Sequence, residues 1–290
     1  MKFRDILLAI FVTALWAFNF VVIKVGLGDL PPLFFAALRF TVAAFPAIFF
    51  IPRNNMPWKY LIGVGLSMGV AQFGLLFVGM SLGMPPGLSS LIIQAQVIFT
   101  FLLSVLFLKD HPKLIQWLGV IIGFSGFFII ALNINGKINP LAFFLVLLGG
   151  LFWALANIFM KNAKTKDMLK FMVWMSLIPP IPLLILSYIT ESGQIEAFMS
   201  ISWITVAAIL FNGWGATVLG FGLWGRLIHK YSPNIVAPFS LLVPIFGIFF
   251  AYLAFKEELD LARMIGGALV MIGITIVVWQ KSRPNQMVKS

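Results

Sequence analysis

Cysteine is absent from all 290 residues, which removes disulfide frameworks, thiolate metal centres and cysteine nucleophiles from consideration. Charge is nearly as scarce. Asp, Glu, Lys and Arg together make up 10% of the chain, too little for the polar shell of a soluble domain. The nine acids lie only between apolar runs or at their ends, and His111 and His229 sit at run boundaries. No acid, base and nucleophile cluster is left to serve an enzyme, and no pattern marks a metal or cofactor site, so neither is expected.

What remains is apolar: 61% of the residues, arranged in long runs. About 20 mostly apolar residues cross the hydrocarbon core as a helix. Ten segments meet that length: Ile6–Val25, Leu33–Ile51, Trp58–Met80, Gly87–Leu108, Leu114–Leu132, Leu141–Met160, Phe171–Ile189, Trp203–Ile228, Ile235–Phe255 and Leu261–Trp279. The first follows Lys2 and Arg4 as a signal peptide would, but its length, its polar Asn19 and Lys24, and the lack of a small-residue cleavage site predict a retained span. Gly-, Pro- and Asn-rich connections such as Gly26–Pro32 and Ser81–Pro86 suit tight helix-to-helix turns, and no soluble domain fits between the runs. The expected fold class is an all-α integral membrane protein with lipid as its surroundings.

The net charge of +11 invites a nucleic-acid reading, but the cations occupy short gaps rather than one basic face. No nucleic acid is expected. Fifteen of the 20 Lys and Arg residues gather on one side if the spans alternate, leaving only Lys137, Lys256 and Arg263 on the other, with Lys24 and Arg39 inside spans. By the positive-inside rule, both termini are cytoplasmic and the number of crossings is even.

The chain also repeats. At an offset of 137, Trp16 matches Trp153 and Lys24 matches Lys161; at 147, Pro86 matches Pro233, Lys109 matches Lys256, and Gly119 and Gly126 match Gly266 and Gly273. The sequence therefore divides into two five-helix repeats, residues 1–135 and 136–290. Five is odd, so the second copy enters the membrane inverted. The turn at Lys109, Asp110, His111 and Lys113 is basic, and its partner at Lys256, Glu257, Glu258 and Asp260 is acidic, as inversion requires. Inverted repeats are characteristic of secondary transporters, because the halves can exchange conformations at similar energy.

Polar groups within spans are costly unless they face a cavity, another helix or the backbone. Arg39 lies roughly 10 Å inside its span. Its guanidinium suits a substrate carboxylate, or else it snorkels to the interface or pins carbonyls of a neighbouring helix. Trp16 with Asn19, and Trp153 with Asn157, share helix faces suited to a polar, weakly charged solute, with interhelical hydrogen bonding as the competing use. Gln94 and Gln96 stand about 200° apart on an ideal helix, so only one should face a cavity. Gln72, Asn212, Trp214 and Ser240 complete the binding candidates. Lys24 and Lys161 are candidate mirrored gates at opposite boundaries, although each also suits an interfacial anchor and Lys161 begins a basic loop. With no carboxylate inside the spans, a small zwitterionic, anionic or neutral metabolite is the expected cargo. Gly119 and Gly123 form a small-xxx-small pair that serves either packing within a monomer or a homodimer.

The strings WAFNFVVIKVGL from Trp16, PPLFFAALRF from Pro31, GMPPGLSSLIIQAQ from Gly83 and APFSLLVPIFG from Ala237 resemble the EamA branch of the drug/metabolite transporter superfamily. They are most similar to exporters of O-acetylserine, cysteine and related amino-acid metabolites. The resemblance implies a multi-pass protein of the cell inner membrane, outward transport, spans 1–4 and 6–9 around a central cavity, and spans 5 and 10 at the periphery. Broader drug or metabolite export, or a non-transporting scaffold or lipid-flipping subunit, are the alternatives.

Overall fold

A computed structural model describes residues 1–53, 55–108, 112–133, 138–163, 165, 167–231 and 233–281. Lys109, Asp110, His111 and Lys137 of the charge pattern and the repeat lie outside the described residues, as do Lys164, Lys166, Arg283 and Lys289, four of the fifteen cations expected on the cytoplasmic side. Among the described residues ten helices are long and apolar enough to cross a membrane: α1 (Phe3–Gly26), α2 (Pro32–Phe49), α3 (Trp58–Ser81), α4 (Pro86–Phe107), α5 (Leu114–Leu132), α6 (Pro140–Ala163), α7 (Met168–Thr190), α8 (Trp203–Tyr231), α9 (Ala237–Phe255) and α10 (Leu261–Val278). No strand occurs among the described residues. The helical solution follows from the composition, since hydrocarbon offers backbone groups no partner and a helix satisfies them within one segment.

Successive helices run in alternating directions. Odd-numbered helices begin at the face carrying Met1, here the proximal face, and even-numbered helices begin at the distal face. Side-chain contacts mark both. Proximally, Lys230 Nζ contacts Asp5 at 2.8 Å across α8 and α1, and Trp174 Nε1 donates to the Ile51 carbonyl at 2.8 Å. Distally, Asp29 Oδ2 accepts from Ser202 Oγ at 2.7 Å and Thr205 Oγ1 at 2.5 Å at the start of α8. Those hydroxyls, Thr205 foremost, hold the Asp29 carboxyl below its ordinary range. A short helix, Gln194–Met199, fills the long α7–α8 connection.

Two pairs of helices are irregular in the same way. Within α3 and α8, Gly65–Gln72 and Phe211–Gly220 widen to π-helix. Their glycines admit close neighbours: a Cβ on Gly213 would stand 2.8 Å from the Arg39 carbonyl oxygen. The second pair is interrupted. α4 is α-helical over Pro86–Ile92 and again over Ala95–Leu108, while α9 starts as a 3-10 turn over Ala237–Leu241 before its α-helix at Leu242–Phe255. Breaks of this kind expose backbone groups where they line protein rather than lipid.

α5 and α10 pack closely together through facing glycines. A Cβ on Gly126 would lie 2.5 Å from the Gly266 carbonyl oxygen, and one on Gly119 would lie 2.9 Å from that of Gly273. The small-residue faces that suited either a monomer or a dimer are thus used within one chain.

Candidate functional site

A cavity of about 90 Å³ lies between the helices, lined from α1, α2, α3, α4, α6, α8 and α9. Neither α5 nor α10 lines it, in keeping with the expectation, but α7, expected among the surrounding spans, does not line it either. A larger groove, of about 430 Å³, runs between Asp167, Met168 and the α8 residues Arg226 and His229 at the proximal face, but it is open and both α8 side chains are exposed.

α1 supplies Trp16, Asn19, Phe20 and Ile23, spaced three, four and seven residues apart and therefore on one helix face. Trp16 lies against Phe221 and Trp224, ring centroids 4.9 and 5.1 Å away, and its Nε1 donates to the Ala216 carbonyl at 2.9 Å. That carbonyl belongs to the π segment of α8. Asn19 is 6% exposed, and its Oδ1 has no hydrogen-bond partner.

Arg39 of α2 is 1% exposed and lines the cavity. Both interfacial alternatives fail: the guanidinium neither reaches a surface nor bonds a carbonyl. Its Nη2 donates to Thr217 Oγ1 at 2.7 Å, and its Cζ stacks 3.9 Å from the Phe73 ring centroid. Nε and Nη1 have no partner, and no carboxylate pairs with Arg39 among the described residues. The widened register of α8 sets Thr217 in place, because its hydroxyl donates to the carbonyl of Asn212, five residues back, at 2.9 Å. Gln72 of α3, 1% exposed, adds a further unpartnered oxygen, Oε1.

Of the seven unpartnered buried side-chain atoms among the described residues, four belong to Asn19, Arg39 and Gln72, all lining this cavity. Unpaired buried polar groups are expensive, so their clustering makes this cavity the candidate site.

Gln94 and Gln96 both line the cavity, which corrects the expectation that only one would. The ideal 100° step does not apply, because α4 leaves its helix at Ile93 and Gln94. Gln94 Nε2 donates to the Ser240 carbonyl at 3.3 Å, tying the break of α4 to that of α9, and Ser240 lines the cavity too. Trp153 of α6 completes the aromatic wall. Its expected companion Asn157 stands outside the lining, where Nδ2 donates to Gln96 Oε1 at 2.8 Å and Thr100 Oγ1 at 3.0 Å. Asn212 is fully buried outside the cavity and donates to the Ala208 carbonyl at 2.9 Å. Trp214 is 44% exposed and donates to the Val42 carbonyl at 2.8 Å.

Lys24 and Lys161 end α1 and α6, in their last turns and outside the cavity; Lys161 is exposed. Thr217 and Phe73, which hold Arg39, escaped the sequence reading. A hydroxyl on a glycine-rich helix carries no mark of a π register, and one phenylalanine among 31 carries none of its place.

The sequence profile of the EamA-like transporter family matches residues 4–132 and again 140–279. The chain is 37% identical over 294 residues to a probable amino-acid metabolite efflux pump of Escherichia coli K12, covering 97% of this chain and 98% of that protein. It is also 37% identical to a protein of the same description from Salmonella typhimurium, covering 96% of each. An uncharacterized inner membrane transporter of Escherichia coli K12 is 23% identical over 97% of this chain and 94% of its own length. A crystal structure sharing 15% identity superposes with a TM-score of 0.63, covering 98% of this chain and all of that one, so the fold is shared. With both profile matches and both 37% relatives spanning nearly its full length, this multi-pass membrane protein belongs to the EamA-like transporter family.

Proposed function

We propose that the protein exports small amino-acid metabolites, of the cysteine or O-acetylserine type, by alternating access through the central cavity. One observation carries the reading: a buried guanidinium with two unpartnered nitrogens shares the cavity with two unpartnered amide oxygens. A zwitterion supplies both complements, its carboxylate accepting from Arg39 and its ammonium donating to Asn19 and Gln72. Gln94, Gln96 and Ser240 offer further polar contacts, and Trp16 and Trp153 wall an uncharged side chain. Asn157, Asn212 and Trp214 act on the cargo through the helices they hold.

In this reading residues 1–135 and 136–290 are inverted repeats, and the matched irregularities of α3 with α8 and α4 with α9 support that relation. Both termini are cytoplasmic, so the distal face is periplasmic and export runs from proximal to distal across the inner membrane. Lys24 and Lys161 stand near the distal and proximal mouths as gate residues. The working unit is the monomer, with the α5–α10 glycine faces already occupied; no enzyme activity and no nucleic-acid partner enters the mechanism. Broader export remains a second reading, favoured by the mostly apolar walls, but a buried cation disfavours cationic drugs.

Counterflow in proteoliposomes tests this. A labelled amino-acid metabolite should exchange, its methyl ester and its N-acetyl derivative should each compete at least about 100-fold less well, and Arg39→Gln should abolish exchange. Exchange of a cationic dye with no exchange of any amino-acid metabolite would refute the proposal.

A further inference from the structure

At the distal face the same local arrangement occurs twice. α2 opens on Pro31 and Pro32, and α4 on Pro85 and Pro86. Proline has no amide hydrogen, so the first backbone donors these helices offer are Leu33 with Phe34 and Gly87 with Leu88. One glutamate takes each pair, in both cases from the other half of the chain. Glu191, just beyond α7, accepts from Leu33 N at 2.7 Å and Phe34 N at 3.1 Å, and the Ser187 hydroxyl braces it at 2.6 Å. Glu257, in the α9–α10 turn, accepts from Gly87 N at 2.8 Å and Leu88 N at 2.9 Å. A side chain at 87 would press on this contact, because a Cβ there would stand 2.9 Å from Glu257 Oε1 and 3.1 Å from the Ala251 Cβ.

A carboxylate suits a helix N-terminus, where free amides and the helix dipole both favour negative charge. Each glutamate is partly buried. The proximal face has a different kind of contact: Lys230 and Asp5 make a surface ion pair, of a sort that contributes little. Opening the distal face by parting the halves breaks the two glutamate contacts directly, and among the described residues no other side chain caps those donors.

We infer that Glu191 and Glu257 are positioning residues of the transport cycle, whose clasps on α2 and α4 hold the distal face closed and release when the cavity opens to that side. The inference rests on the alternating-access reading above. Neither glutamate touches the cargo. Each acts by setting how often the cavity faces proximally.

The absence of cysteine makes the test direct. Leu82→Cys and Leu253→Cys place spin labels beside the start of α4 and near the end of α9, at exposed positions on the distal side. Pulsed electron resonance on the full chain in proteoliposomes then reads their separation. Glu257→Ala should raise the ratio of long to short distances by about tenfold, and Gly87→Ala should do so from the other side of the same contact. In transport, Glu257→Ala and Glu191→Ala should each raise the apparent KM for cargo offered from the proximal face, in proportion to the closed fraction lost, with Vmax per folded molecule retained. Loss of folded protein would instead lower Vmax from both faces. Unchanged distances in both Glu257→Ala and Gly87→Ala, or a lowered Vmax per folded molecule with KM unchanged, would overturn the inference. The label pair needs no solute, so an error in the cargo leaves this measurement standing.

Discussion

The polar groups of the central cavity and three acids of the distal face are treated in opposite ways. In the cavity, Arg39, Asn19 and Gln72 are buried with atoms left unpaired. At the distal face, Asp29, Glu191 and Glu257 have their acceptors filled by hydroxyls or helix amides. A satisfied group stabilises the arrangement it sits in. An unsatisfied one costs free energy until something binds, so on the proposed function the difference separates groups that hold the protein from groups that hold its cargo.

The sharpest way to break this comparison is Arg39→Met. It should lower Vmax/KM for a carboxylate cargo at least about 100-fold without reducing thermal stability, because an unpaired buried charge is replaced by an apolar chain of similar length. Proteoliposome transport beside a melting curve in detergent checks both; destabilisation would make Arg39 structural.

Thr217→Val comes next. It removes the hydroxyl that accepts from Arg39 Nη2 and keeps the volume, so KM should rise about tenfold with little change in Vmax. Asn19→Leu and Gln72→Leu should act at the other pole of the cargo. Each is expected to cut the preference for the zwitterion over its N-acetyl derivative several-fold, while sparing the penalty for the methyl ester. Equal loss of both preferences would dissolve the two-pole arrangement.

The smallest effect is on pH. Burial pushes the Glu257 carboxyl up, against the amides of Gly87 and Leu88 and the charge of Arg263 on α10; Lys256, Glu258 and Asp260 are its charged neighbours within the turn. The closed distal face therefore holds this proton more tightly than a hydrated open face does. Acidification toward the ordinary carboxyl range favours closure, and alkaline pH favours opening. The proximal KM should fall as the pH is lowered toward the ordinary carboxyl range, and Glu257→Ala should abolish that dependence.

Much of the fold was legible in the sequence because lipid imposes a simple rule. Apolar runs long enough to span must be helices, and the ten expected segments match α1–α10 to within a few residues at nearly every end. The larger differences came from broken periodicity. Reading α4 as one ideal helix separated Gln94 from Gln96, whereas its interruption at Ile93 and Gln94 turns both to the cavity. Asn157 looked like a cavity residue by its spacing from Trp153, but a partner on α4 takes its amide. Spacing along one helix cannot report which residues a neighbouring helix brings.

By itself, then, the sequence determined the membrane as solvent and the ten helices, since both follow from composition and from where charge is missing. Only the tertiary structure decided which polar groups remain unpaired and which are clasped. Pairing depends on the approach of residues far apart in the chain: Thr217 completes one bond of Arg39 and leaves its other nitrogens free, while Glu257 reaches back to the amides that Pro85 and Pro86 leave exposed.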